Sequence, residues 1–204
     1  MENIKRTWMS VLTVLWLALM APIAAAQTAS PTETVKSVVD GILAILRDDS
    51  LSFEEARPRI RSEIQRGFDD VAMAQSVLST NWRSATEAQQ DEFRQLLMRT
   101  IESTYIGRVR AYTNESVEFR GETVNGNRAS VNSVIISNSG NIPIVYQLRQ
   151  RRDGWFVYDV EIENVSMVST YRETYRSVVR RDGMDGLLQQ MRDKLLELEA
   201  REGV

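Results

Sequence analysis

Residues 116–163 read SVEFRGETVNGNRASVNSVIISNSGNIPIVYQLRQRRDGWFVYDVEIE, and this stretch decides the fold. From Ser116 to Glu122 the residues alternate, with Val117 and Phe119 on one face. Asn125-Gly126-Asn127 is a hairpin turn signal. Arg128 to Ser137 is rich in β-branched residues, and Ser139-Gly140-Asn141 makes the next turn. Ile142, Ile144, Tyr146 and Leu148 alternate in a third run, Asp153-Gly154 turns the chain again, and Trp155 to Ile162 forms a fourth. Four such runs joined by tight turns predict an antiparallel meander.

Working outward from the sheet, both flanks carry helical periodicity. Ser30-Pro31-Thr32-Glu33 is a capped helix start, followed by Val35, Val38, Val39, Ile42 and Leu46 at helical spacing. Ser52-Phe53-Glu54-Glu55 starts a second helix, with Pro58 placed to kink or shorten it. Asp69 or Asp70 caps a short third helix, and Thr86 with Gln89 boxes a long fourth that extends to about Tyr112. After the sheet, helix resumes near Ser166, breaks at Asp182-Gly183-Met184-Asp185-Gly186, and ends in an amphipathic segment carrying Leu187, Leu188, Met191, Leu195 and Leu198. The expected architecture is α+β in one domain, 27–204: mainly helical over 27–113, a curved four-stranded antiparallel sheet over 114–163, and C-terminal helices over 164–200. An antiparallel sheet with one apolar face needs helices across it. A curved sheet covered in this way predicts a cone-like internal apolar cavity.

Ahead of the domain, Lys5 and Arg6 precede an apolar run from Trp8 to about Met20, and small residues lead to Ala24-Ala25-Ala26. This is the layout of a secretory signal peptide, 1–26, removed on export; an uncleaved anchor is the weaker alternative, because the run is short for a span of ~20 residues. Loss of Lys5, Arg6 and Glu2 with the leader takes the formal charge from −3 to −4, which argues against nucleic acid as a partner. The chain has no Cys and no His, which removes thiol nucleophiles, Ser-His-Asp triads and zinc sites of thiolate or imidazole. The composition leans towards binding rather than catalysis.

Strand parity places Phe156, Tyr158, Val160 and Ile162 of the fourth run on one face and Asp159, Glu161 and Glu163 on the other, with Val157. The acids are therefore expected to face water, and the apolar row of the third run to face the interior. An ordinary packed core competes with a ligand cavity as the reading of these rows. Arg149, Arg151 and Arg152, with Arg172, Arg176, Arg180 and Arg181, are candidates to meet an anionic head group or an acidic partner, or else form a solvated surface.

Several motifs resemble those of the MlaC family, the periplasmic phospholipid-binding proteins also called toluene-tolerance auxiliary proteins. Tyr158-Asp159-Val160, Ile162-Glu163-Asn164-Val165-Ser166-Met167-Val168 and Tyr171-Arg172 are similar to that family's strand, turn and helix, with Asp182-Gly183 and Asp185-Gly186 before the last helix. Phe68-Asp69, Met73-Ala74, Trp82-Arg83, Thr86, Gln90, Phe93 and Tyr105 resemble its N-terminal half. Asn164 stands where the family usually has Gly, and Ser79 where a Gly often follows Leu78. The resemblance implies a fold similar to nuclear transport factor 2 with extra helices, and no cofactor beyond bound phospholipid as cargo. It implies a periplasmic shuttle between an outer-membrane lipoprotein complex and an inner-membrane ABC transporter complex, without stable membrane anchoring, supporting outer-membrane lipid asymmetry.

Strand parity and family position together nominate Phe119, Val131, Ile144, Tyr146, Leu148, Tyr158, Val160, Val168 and Tyr171 as walls of the lipid cavity. Three other readings compete: a carrier of another apolar lipid such as a hopanoid, an enzyme on the same fold, and a protein-interaction scaffold with a filled core. The enzyme needs an acid on the cavity face of the fourth run, where parity places none.

Overall fold

The computed structural model of the chain describes residues 29–110, 115–138, 140–151 and 154–202. The leader 1–26, the expected helix end at Tyr112, and the turn residues Ser139 and Asp153, with Arg152, lie outside the described residues.

Four α-helices precede the sheet: α1 (Pro31–Leu46), α2 (Phe53–Gly67), α3 (Asp70–Leu78) and α4 (Glu87–Arg110), with a 3-10 turn Ser79–Ser84 before α4. Their starts follow the capping chemistry of the sequence. The Ser30 and Ser52 hydroxyls accept from the backbone N–H groups of Glu33 and Glu55, whose carboxylates accept back from the cap N–H groups. Thr86 and Gln89 exchange the same pair of bonds at α4. Asp69, not Asp70, caps α3 through the Ala72 N–H. Pro58 neither ends nor shortens α2, which runs on to Gly67. There α2 meets α1 so closely that a Cβ on Gly67 would lie 2.3 Å from a Val38 methyl, so no larger residue fits without the helices separating.

The sheet is an antiparallel meander, β1 (Ser116–Asn125), β2 (Arg128–Ser137), β3 (Gly140–Arg151) and β4 (Gly154–Ile162), to which a fifth strand, β5 (Val165–Ser166), is added at the edge. The expected four strands are therefore five. A two-residue strand carries no alternation to read. It forms because Glu163 and Asn164 both take positive φ, 51° and 66°, and close a two-residue hairpin that pairs Ile162 with Val165. The chain then enters α5 (Met167–Glu202), which is broken at Gly183 (φ 72°, ψ −173°), inside the segment expected to break it.

Two bulges reset the strand faces. In β1 the register slips between Phe119 and Gly121, so Glu122 pairs with Val131 and stands on the same face as Phe119. From there its carboxylate accepts from the Thr32 N–H (2.8 Å) and hydroxyl (2.6 Å), tying the first turn of α1 to the sheet. In β4 the register slips at Tyr158: Asp159 pairs with Gln147, but Val157 pairs with Leu148. Trp155, Val157, Val160 and Ile162 consequently share the inner face, while Phe156 and Tyr158 face outward. This corrects the parity expected from the sequence, because one inserted residue exchanges the faces on either side of it.

The inner face of the sheet buries Ala129, Val131, Ile144, Leu148, Trp155, Val157 and Val160 against Val35 of α1 and Met167 of α5. A second core joins α3, α4 and α5 through Met73, Val77, Phe93, Leu97, Val178, Leu187, Leu188 and Met191. Phe68 and Ile101 pack against both. At roughly 1.5–3 kcal/mol per fully buried large apolar side chain, these two clusters supply most of the drive to fold.

Candidate functional site

A cavity of about 530 Å³ opens among the helices of the N-terminal half. Helical spacing builds one of its walls: Arg94, Met98, Ile101 and Tyr105 recur along one face of α4. The other face of the same helix sends Phe93, Leu96 and Leu97 into the helical core. Ile42 of α1, Ile60 and Ile64 of α2, and Phe68 complete an apolar floor. Phe68, Ile101 and Tyr105 also pack against the sheet cluster, so the cavity adjoins the inner face of the sheet.

Polar residues bound this floor, and they are charge-matched. Arg61 forks onto Glu102 with contacts of 2.7 and 2.8 Å, and Arg57 adds a third at 3.1 Å. Arg94 bridges Asp70 (2.5 Å) and Asp91 (2.6 Å), and Arg99 holds Glu199 of α5 at 2.6 Å. Burial alone would push the Glu102 carboxyl up, but the Arg61 and Arg57 guanidiniums outweigh it and hold the group below the usual carboxylate range. The hydrogen bonds that Arg94 donates to the Asp91 and Asp70 carboxylates raise its already high pKa. The cavity thus combines an apolar interior with a border of guanidiniums paired to carboxylates.

None of the nine residues nominated from sequence is among those lining this cavity. Val131, Ile144, Leu148 and Val160 are buried in the sheet cluster, with Phe119 and Tyr146 packed at its margin. Burial pushes the Tyr146 phenol up, with the nearby Ser133 hydroxyl opposing that shift. Val168 and Tyr171 belong to the helical core, where Tyr171 stacks 5.6 Å from Tyr175. Burial raises both phenols. Tyr158 is on the outer face, its ring 4.8 Å beneath the Arg128 guanidinium.

Two expectations about charge also change. Asp159 does not face water; it is 8% exposed. Its carboxylate accepts from the Ser166 hydroxyl (2.6 Å) and from the N–H groups of Val160 (2.8 Å) and Val168 (3.0 Å), which organises the start of α5. The arginines do not form one cluster. Arg149 and Arg151 hold the buried Asp69 at 2.7 and 3.4 Å, Arg181 holds its neighbour Asp182, and Arg172 donates to the Ser76 carbonyl. Sequence reasoning missed the floor residues Ile60 and Ile64 as cavity residues. The available signal was an apolar helix stripe flanked by Arg61, Arg94 and Arg99, which reads equally well as an ordinary amphipathic surface.

Among the described residues no group of His, Cys, Asp and Glu side chains is placed to hold a metal ion, and no helix is long and apolar enough to cross a membrane.

Residues 36–193 match the family model described as MlaC protein. The chain is 20% identical over 196 residues to the intermembrane phospholipid transport system binding protein MlaC of Haemophilus influenzae, covering 91% of this chain and 92% of that one. Its fold is similar to that of a phospholipid-binding protein from Ralstonia solanacearum, solved in complex with a phospholipid. The TM-score is 0.79 at 23% identity, over 84% of this chain and 99% of that one.

Proposed function

The chain belongs to the MlaC family, and we propose that it is a periplasmic phospholipid carrier, exported by a leader that is then removed. It moves lipid between an outer-membrane lipoprotein complex and an inner-membrane ABC transporter complex and so supports outer-membrane lipid asymmetry. The observation that carries this reading is the apolar cavity of about 530 Å³ bounded by arginines. That volume lies within the roughly 300–1,000 Å³ range of pockets that take small apolar ligands.

Shielding explains why carriage needs no chemistry. Each buried methylene contributes ~0.8 kcal/mol, so hiding fifteen of them contributes roughly 12 kcal/mol before the costs of association. The tails occupy the helical cavity and extend past Phe68, Ile101 and Tyr105 towards Phe119, Val131, Ile144, Tyr146, Leu148 and Val160, with Val168 and Tyr171 behind them. Tyr158 is not part of this wall. The head group stays at the arginine-bearing mouth in contact with water.

The test fills the cavity from one wall. Met98→Trp is expected to lower the phospholipid that co-purifies with the protein at least several-fold while the far-UV spectrum and melting temperature are kept. Undiminished lipid in the folded variant would move the tails elsewhere.

A further inference from the structure

A second hollow, of about 190 Å³, lies where the end of α3 and the 3-10 turn meet α5. It shares no lining residue with the apolar cavity. Two guanidiniums line it, those of Arg172 and Arg176, which stand four residues apart on α5. The arginines around the apolar cavity are matched by carboxylates. These two are not: among the described residues neither has an ion-pair partner. Arg172 spends its Nε–H on the Ser76 carbonyl (2.8 Å), covering one open carbonyl at the end of α3. Its remaining N–H groups, and all those of Arg176, meet no acceptor among the described residues.

Across the hollow stand the Ser79 and Thr80 hydroxyls and the Asn81 carboxamide. None of these three side chains has a hydrogen-bond partner among the described residues. The turn that presents them puts Ser79 at φ 54° and ψ −123°, where L residues are uncommon.

The hollow is therefore rich in donors and cations and holds no carboxylate. A single guanidinium fork can satisfy both oxygens of a carboxylate. Two guanidiniums with hydroxyl and amide donors suit a group with more acceptor oxygens and more charge. We propose that Arg172, Arg176, Ser79, Thr80 and Asn81 form a binding site for a phosphate group, separate from the apolar cavity and independent of the cargo reading. The same chemistry is supplied by free phosphate and by the phosphate of a lipid head group on a bilayer surface.

Arg176 is the residue to change, because it is exposed and makes no bond that holds the fold together. Inorganic phosphate is titrated into the ¹⁵N-labelled exported protein and compared with chloride at equal ionic strength. The expected result is a saturable shift of the Ser79, Thr80 and Asn81 amides specific to phosphate. Arg176→Gln is expected to weaken it at least tenfold, and Arg176→Lys to restore part of it. Flotation with phosphatidylglycerol vesicles then separates the sources. Phosphate shifts without flotation assign free phosphate, and shifts with flotation that both weaken in Arg176→Gln assign the head group. Equal responses to chloride and phosphate, or a phosphate response unchanged in Arg176→Gln, would overturn the site, while Met98→Trp reports separately on the apolar cavity.

Discussion

Asn164 takes φ 66° in the two-residue turn between β4 and β5, and that geometry accounts for the glycine that the family resemblance leads one to expect there. The position lies in the left-handed region, which glycine enters freely and asparagine tolerates. Asn164→Ala is expected to cost about 1 kcal/mol in urea unfolding, and Asn164→Gly to stay within a few tenths of the parent. The fold opposes protonation of Glu102, because Arg61 and Arg57 outweigh the effect of its burial. Its pKa is lower in the folded chain than in the unfolded one, so its contribution is complete above roughly pH 4.3 and is lost as pH falls through the folded value. Glu102→Gln should therefore cost about 2 kcal/mol at pH 7 and flatten the acid limb of a stability profile measured by urea melts from pH 3 to 7. A variant with an acid limb as steep as the parent's would assign that limb to other carboxylates. Tyr158 shows what single residues conceal: nothing in Val157-Tyr158-Asp159 announces that the middle residue is the extra one in a bulge, because bulges are set by what the paired strand and the following helix require.

At the scale of elements much more was legible. The Ser30/Glu33, Ser52/Glu55 and Thr86/Gln89 boxes all form, because capping is local chemistry between residues three apart. The meander likewise follows from short turns between alternating runs. The fifth strand and the two register slips were not legible: a two-residue strand shows no alternation, and each slip depends on what the paired strand requires. Asp159 is the clearest case: read as a solvated acid, it instead anchors the junction of β4, β5 and α5 by accepting three hydrogen bonds, two from backbone N–H groups and one from the Ser166 hydroxyl. Asp159→Ala is expected to lower stability by about 1–2 kcal/mol. Amide exchange should then quicken in the first turn of α5, at Val168 and Ser169, more than at Leu187 and Leu188 in its second half. Uniform acceleration along the helix would deny it that anchoring role.

For the whole molecule, strand parity located an apolar wall but not the empty space. The sheet residues pack against one another and against α1, while the open volume lies between α1, α2 and α4. Whether an apolar face is filled or left open depends on how far helices stand apart, and the pattern of one helix does not encode that distance. The arginine surroundings were similarly hidden, because guanidiniums on a helix flank read the same beside a cavity as beside water. The central claim is that this apolar space carries phospholipid. It is tested most directly by mass spectrometry of the exported protein purified without detergent. The predicted result is stoichiometric phospholipid released on denaturation, reduced in Met98→Trp. Protein that is folded yet free of phospholipid, or loaded with a polycyclic lipid in its place, would contradict it.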